Sequence, residues 1–104
     1  MQRPDRCEVW IIDLGLAAKV RPCLVISIIP DESERALVTV IPHTTSIRNS
    51  KYEVPVSVPF LKQGVFDTQN IITIPTAKFL RKAGKLNKID INSVENSIKL
   101  WLGL

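Results

Sequence analysis

The chain has 104 residues, of which 45% are hydrophobic and 23% charged, and this length favours one domain over residues 1–104. Fourteen Lys and Arg against ten Asp and Glu give a formal net charge of +4. This charge only weakly favours a polyanionic or acidic binding partner over the alternative of an ordinary basic surface with no partner. No run approaches the roughly 20 apolar residues of a membrane-spanning helix, and Met1–Arg6 lacks the apolar core of a signal peptide, so we expect a cytoplasmic protein.

Three apolar stretches in the first half of the chain are typical of β-strands. They cover Cys7–Asp13, Cys23–Ile29 and Ala36–Pro42. We expect the first two to form a hairpin with Asp13 near Cys23, which puts Cys7 at the far end of the ladder. Two thiols that far apart cannot form a disulfide, so both cysteines are expected to be reduced.

Two more strands are expected in the second half of the chain. In Tyr52–Val58 the apolar side chains alternate cleanly, and Pro55 cannot donate to a ladder, so this strand is predicted at the edge of a sheet. A turn through Gly64 leads to a fifth strand over Gln69–Ile74, and Pro75–Lys82 includes a short helical turn.

One helix is predicted at the end of the chain, because four apolar residues recur there at helical spacing: Ile91, Val94, Ile98 and Trp101. Asp90 is the expected N-cap, Ile89 and Val94 occupy the positions of a hydrophobic staple, and Gly103 ends the helix. Five strands and one terminal helix predict a mostly β (α+β) fold, a small and strongly bent antiparallel barrel of about five to seven strands with the helix docked on it.

Arg21 stands out because it places a permanent cation at the mouth of the most apolar run of the chain. Pro22 biases Arg21 towards an extended backbone, which predicts a loop leading into a strand. The alternative role for Arg21 is a surface arginine whose stem covers the end of the barrel. Familiar catalytic motifs are absent from the sequence, and two cysteines with one histidine are too few for a structural zinc site.

Three blocks of the sequence resemble the signature blocks of the PemK/MazF toxin family. They are Val9–Leu14, Arg21–Ser27 and Val40–Ser46. The resemblance covers nearly the whole chain and continues through Glu53–Val56 and Phe66–Ile72. It implies an SH3-like barrel that forms a homodimer, cleaves single-stranded RNA without a metal or another cofactor, and is held inactive by a cognate acidic antitoxin.

The same resemblance implies that Arg21 is the catalytic arginine and Thr44 the catalytic threonine, with Thr45 as the near alternative. The chemistry suits these residues, because a planar guanidinium can meet two phosphorane oxygens while a 2′-hydroxyl attacks its own phosphate. A threonine hydroxyl can orient that phosphate. Ordinary turn chemistry is the alternative role for both threonines.

Several further residues are expected to support RNA binding: Lys19, His43, Thr45, Ser46, Lys51 and Lys78. Lys19 and Lys51 are expected to guide the RNA backbone. His43 is the sole histidine, but strand alternation argues against placing its side chain beside that of Thr44. The chain departs from the family in its short connection from Leu14 to Val20, which has no carboxylate, and in Lys78, where arginine is common.

The leading hypothesis is therefore the toxin of a type II toxin–antitoxin pair, an endoribonuclease that leaves a 2′,3′-cyclic phosphate and a 5′-hydroxyl. A second hypothesis is a non-enzymatic toxin like CcdB, which poisons gyrase. A third is a degenerate family member that serves as a protein-binding module.

Overall fold

A computed structural model describes residues 3–15, 17 and 19–104 of the chain. Within that part, seven strands precede one helix: β1 (Glu8–Asp13), β2 (Val20–Val25), β3 (Leu37–Thr44), β4 (Glu53–Pro55), β5 (Val65–Asp67), β6 (Ile72–Pro75), β7 (Phe79–Lys85) and α1 (Lys88–Leu102). Two 3₁₀ turns, Thr68–Asn70 and Thr76–Lys78, flank β6. The expected mostly β fold with a C-terminal helix is confirmed.

The sheet is antiparallel and has the strand order β4-β5-β3-β2-β1-β7, with β6 paired to the first half of β3. Strand β3 is the longest and holds three partners in succession. It pairs Val40 with Ile72 of β6, Pro42 with Cys23 of β2, and Thr44 with Val65 of β5. The far end of β3, at His43 and Thr44, is therefore held by β5 alone, because its ladder with β2 ends at Pro42.

Alternating side chains of the strands build two separate cores. One contains Val9, Leu24, Ile41 and Phe66 and is covered by Ile91 and Val94 of α1, together with Val54, Val56 and Leu86. The other gathers the residues that point the opposite way from β1, β2, β3 and β6: Trp10, Ile12, Cys23, Val25, Val38, Val40 and Ile74. Strands β1, β2 and β3 contribute to both cores and are thus apolar on both faces, as expected for β1.

Strand β2 runs from Val20 to Val25, so the expected span Cys23–Ile29 begins three residues too late. Pro22 lies inside the strand because β2 is paired on only one side at that point. β1 pairs Ile11 with Pro22, whereas the pairing with β3 begins at Cys23. Strand β3 in turn continues two residues beyond the predicted end at Pro42.

The register of the first hairpin also differs, since Asp13 pairs with Val20 and Cys23 pairs with Trp10. Both cysteines are free thiols, as predicted. Cys7 has a positive φ of 77° and donates its backbone N–H to Val25.

The seven strands fall within the predicted number, but two of them, β5 and β7, lie outside the five stretches predicted as strands. β5 has only three residues, Val65–Asp67, and Thr68–Asn70 form a 3₁₀ turn where the fifth strand was expected to start. The helical turn expected in Pro75–Lys82 is confined to Thr76–Lys78. β7 follows it at the edge of the sheet, where exposed cations such as Arg81 and Lys82 conceal the apolar alternation of a strand.

Helix α1 begins at Lys88, and its N-cap is Asn87 rather than the predicted Asp90. The Asn87 side chain accepts a hydrogen bond of 2.9 Å from the backbone N–H of Asp90. The staple therefore falls on Leu86 and Ile91, which are both buried in one core, whereas Ile89 is 77% exposed. Gly103 ends the helix in the left-handed conformation, as predicted.

The predicted edge position of Tyr52–Val58 is confirmed, although only Glu53–Pro55 form a strand. Two predictions fall partly outside the described residues: the extreme N-terminus at residues 1 and 2, and the connection from Leu14 to Val20 at residues 16 and 18. No helix in the described part of the chain is long and apolar enough to cross a membrane.

Candidate active site

Arg21 and Thr44 lie at the open end of the ladder between β2 and β3. The last assigned pair of that ladder joins Cys23 to Pro42. Continuing the same register by two residues puts Arg21 opposite Thr44, on one face of the sheet. Because neither residue belongs to a ladder pair between these two strands, their side chains stand where the sheet opens.

The positive charge of Arg21 acts on the thiol of Cys23 in the neighbouring core. Burial raises the pKa of the Cys23 thiol to about 12, and the positive charge of Arg21 acts in the opposite direction. Arg21 itself is only partly buried and is held within the strand by the pairing of its backbone with Ile12. The guanidinium thus emerges from a rigid strand at the border between core and solvent.

Two clefts meet at these two side chains. The first has a volume of about 630 Å³ and the second about 420 Å³, and both are lined by Arg21 and Thr44. Both volumes fall in the range of ligand-binding clefts. The pair therefore forms the ridge between two clefts, where a chain that occupies both must cross it.

The Thr44 hydroxyl is already oriented by the backbone. Its oxygen accepts a hydrogen bond of 3.0 Å from the N–H of Ser46. This is the turn chemistry considered as an alternative, but it uses only the acceptor side of the group, and the hydroxyl proton is a separate donor. Thr45, the next residue, is exposed and lines only the second cleft.

His43 points to the opposite face from Thr44, as strand alternation predicts. It is 3% exposed and packs edge-on against Phe66, with ring centroids 5.1 Å apart. Burial lowers the pKa of His43. Its buried Nε2 has no hydrogen-bond partner among the described residues, and the imidazole forms part of the wall of the second cleft.

The structure brings some of the expected supporting residues to the clefts and leaves others outside. Ser46 lines the first cleft, and Lys19 lines the second with a positive φ of 56°. Lys51 lies over the ring of the adjacent Tyr52, with its Nζ 5.3 Å from the centroid, and Lys78 ends a 3₁₀ turn. Neither of these two lysines is among the lining residues of either cleft.

The sequence did not single out the far wall of the first cleft, which is polar. It contains Arg48, Ser50, Glu53, Asp67, Gln69 and Asn70. The Glu53 carboxylate accepts the backbone N–H groups of Arg48 at 3.1 Å and Ser50 at 3.0 Å, which holds the loop between β3 and β4. The sequence signal that could have revealed this wall is a glutamate that follows a polar loop by a few residues, so that its carboxylate can bind the backbone N–H groups of that loop.

A divalent metal site is not apparent in the described part of the chain, because no three His, Cys, Asp or Glu residues there are close enough together to hold an ion.

A family model and several solved structures match this chain. The model of a family described as PemK-like, MazF-like toxins of type II toxin–antitoxin systems matches residues 5–102. No curated protein matches the chain. Among solved structures, the Mycobacterium tuberculosis toxin MazF-mt6 is 30% identical, with a TM-score of 0.78 over 93% of this chain and 97% of that one.

Two more distant structures share the fold. A mycobacterial endoribonuclease in complex with its cognate antitoxin is 24% identical, with a TM-score of 0.84 over 98% of this chain and 97% of that one. A MazE–MazF complex from Deinococcus radiodurans is 16% identical, with a TM-score of 0.83 over 100% and 99% of the two chains.

Proposed function

The chain belongs to the PemK-like, MazF-like toxins of type II toxin–antitoxin systems, and we propose that it is an endoribonuclease that cleaves single-stranded RNA at Arg21 and Thr44. The observation that carries this proposal is the ridge that these two side chains form between two clefts. A polynucleotide that fills both clefts presents a phosphate at the ridge. Two of the similar solved structures are also described as endoribonucleases.

The reaction needs one cation and one well-oriented donor. The 2′-hydroxyl attacks the adjacent phosphorus, and a 2′-oxygen–phosphorus bond forms as the bond to the 5′-oxygen breaks. The proton lost by the 2′-hydroxyl is balanced by one gained by the leaving 5′-oxygen, which gives a 2′,3′-cyclic phosphate and a 5′-hydroxyl. The Arg21 guanidinium stabilises the negative charge of the phosphorane, and the Thr44 hydroxyl proton orients one of its oxygens.

No metal is required in this scheme, because a guanidinium always carries its charge and can donate two parallel hydrogen bonds to a phosphate. The scheme does not use His43 as the acid or base, since its side chain is 3% exposed and lies on the face of β3 opposite to that of Thr44. Lys19 lies beside the ridge and attracts the RNA backbone, and Ser46 adds a polar group on the other side.

The partners follow from the family and from charge. A cognate antitoxin with an acidic segment suits a toxin of net charge +4, and such a segment that lies over the clefts excludes RNA. Homodimer formation adds burial that a chain of this size lacks on its own. The site of action is the cytoplasm, and the family match does not favour the gyrase-binding alternative.

Cleavage of a single-stranded RNA by the purified protein in excess EDTA tests the proposal. Wild type is expected to cleave and to leave ends that carry a cyclic phosphate, and Arg21→Ala is expected to be slower by about 10²–10³-fold, the usual cost of removing one preorganised donor. Arg35→Ala is the matched control, because Arg35 is exposed in the loop between β2 and β3 and lines neither cleft. Equal rates for wild type and Arg21→Ala, or cleavage that EDTA abolishes, would overturn it.

A further inference from the structure

The far wall of the first cleft is held by two carboxylates that lie opposite each other. Strands β4 and β5 pair Glu53 with Asp67. Like charges in directly opposed positions destabilise a sheet, so this arrangement has a cost unless both carboxylates are used. Glu53 binds the backbone of the loop before β4, and Asp67 binds the 3₁₀ turn that follows β5.

Asp67 does more than cap its turn. One carboxylate oxygen accepts the backbone N–H of Gln69 at 3.2 Å, and the other accepts a hydrogen bond from the side-chain amide of Asn70. The first bond suffices to cap the turn. Asn70 is exposed, so the second bond is not needed to satisfy a buried polar group, and its effect is to orient an amide at the edge of the cleft.

The orientation of that amide follows from chemistry. An ionised carboxylate only accepts hydrogen bonds, so the –NH₂ group of Asn70 must face Asp67 and its Oδ1 must face away. The second N–H of this amide has no partner among the described residues. Asn70 therefore presents a fixed acceptor and a donor to the cleft, with the Gln69 amide beside it.

The second cleft offers a different surface. Besides Arg21, His43, Thr44 and Thr45, its lining consists of four apolar side chains and two lysines: Val20, Pro22, Phe60, Leu61, Lys19 and Lys62. Among the described residues that line it, none is an Asn or Gln. Such a surface can hold a phosphate or stack on a base, but it discriminates poorly between bases.

We propose that Asn70 reads the edge of the base that enters the first cleft beside the scissile phosphate, and that Asp67 is the positioning residue that sets the orientation of the Asn70 amide. Single-stranded RNA suits this role, because its unstacked bases turn outward and are read on their hydrogen-bonding edges. The assignment rests on the proposed ribonuclease activity and adds to it the residues that choose the sequence.

The test is to digest a pool of single-stranded RNA of random sequence and to map the bases on both sides of each cut. With Asn70→Ala, the preference at one position next to the cut should fall by about 10-fold, which lies towards the lower end of what one pair of side-chain–base hydrogen bonds contributes. The preferences at all other positions should be unchanged. Asn92→Ala is the matched control, since Asn92 is an exposed residue of α1.

Asp67→Asn separates positioning from folding. The new side chain can still accept the N–H of Gln69, but it also offers an N–H of its own, so the Asn70 amide is no longer fixed. We expect Asp67→Asn to weaken the base preference at the same single position as Asn70→Ala does. The double variant should show no weaker a preference there than Asn70→Ala alone.

Each other outcome contradicts the assignment. A preference unchanged in Asn70→Ala, or a rate reduced equally for all sequences, refutes the reading of bases by Asn70 and leaves the ribonuclease activity standing. Absence of cleavage by wild type refutes the proposed function and this assignment with it.

Discussion

Gly64 offers a sharp test of how β3 positions Thr44. A Cβ atom on Gly64 would lie 2.3 Å from the backbone oxygen of Thr44 and 2.8 Å from Cε1 of His43. Ordinary contacts begin at about 3.4 Å, so Gly64→Ala forces the Thr44 carbonyl and Gly64 apart by about 1 Å. The obstacle is a backbone atom, which cannot rotate away as a side chain can.

Two effects should follow from that displacement. Overpacking at a buried site typically costs about 1–3 kcal/mol of stability, which urea denaturation measures. A displacement of about 1 Å at a catalytic group can cost about 10²-fold in rate, which single-turnover cleavage of RNA in EDTA measures.

Gly103→Ala is the control for the loss of stability. Gly103 has a φ of 72° and no atom within 4 Å of the position that a Cβ would take. Alanine there costs about 1–2 kcal/mol because the left-handed conformation is strained, but the site is untouched. If Gly64→Ala cleaved RNA as fast as Gly103→Ala, the position of Thr44 would not matter and the reasoning would be wrong.

Two predictions concern stability alone. Burial lowers the pKa of His43, so the unfolded chain takes up a proton near pH 6.5 before the folded chain does. Urea denaturation should therefore show that wild type loses stability as the pH falls from about 6.5 to 5, by at most about 1.4 kcal/mol per pH unit. His43→Leu should lose much less stability over the same range. Equal dependence of the unfolding free energy on pH in the two proteins would contradict this. Asn87→Ala should cost about 1 kcal/mol through loss of the N-cap, whereas Asn92→Ala within the same helix should be nearly neutral, and equal losses would show that Asn87 does not cap α1.

The parts of the fold that the sequence could predict are those where periodicity and burial coincide. Strands β1 and β3 and helix α1 have long apolar patterns, so their existence was clear. The residues at which these elements begin and end were not clear, because a helix cap or a strand end depends on the elements packed or paired against it. Asn87 and Asp90 are equally good caps by residue type, and only the packing of Leu86 against the core selects Asn87.

The short elements escaped prediction for a physical reason. β5 has three residues and is held by its two neighbours, β3 and β4, which no local pattern reveals. β7 is an edge strand whose exposed face is cationic, so its composition is that of a basic loop. Pro22 suggested the beginning of a strand, but the strand tolerates it internally because β3 pairs only from Cys23 onward.

The candidate site was predictable where a single residue carries distinctive chemistry and not where it depends on pairing. Arg21 stood out as a charge beside a core, and the family resemblance pointed to Thr44. The role of Glu53 and Asp67 could not be predicted, since it arises from the register between β4 and β5 and from bonds to loops on either side.

The central claim is that Arg21 and Thr44 act together on one phosphate. It is tested most directly by a double-mutant cycle: single-turnover cleavage of one RNA in EDTA by wild type, Arg21→Ala, Thr44→Val and the double variant. If both side chains hold the same phosphate, the double variant should be less impaired than the product of the two single effects, because residues that act as a unit are not additive. Strictly multiplicative effects, or a Thr44→Val rate equal to that of wild type, would contradict the account.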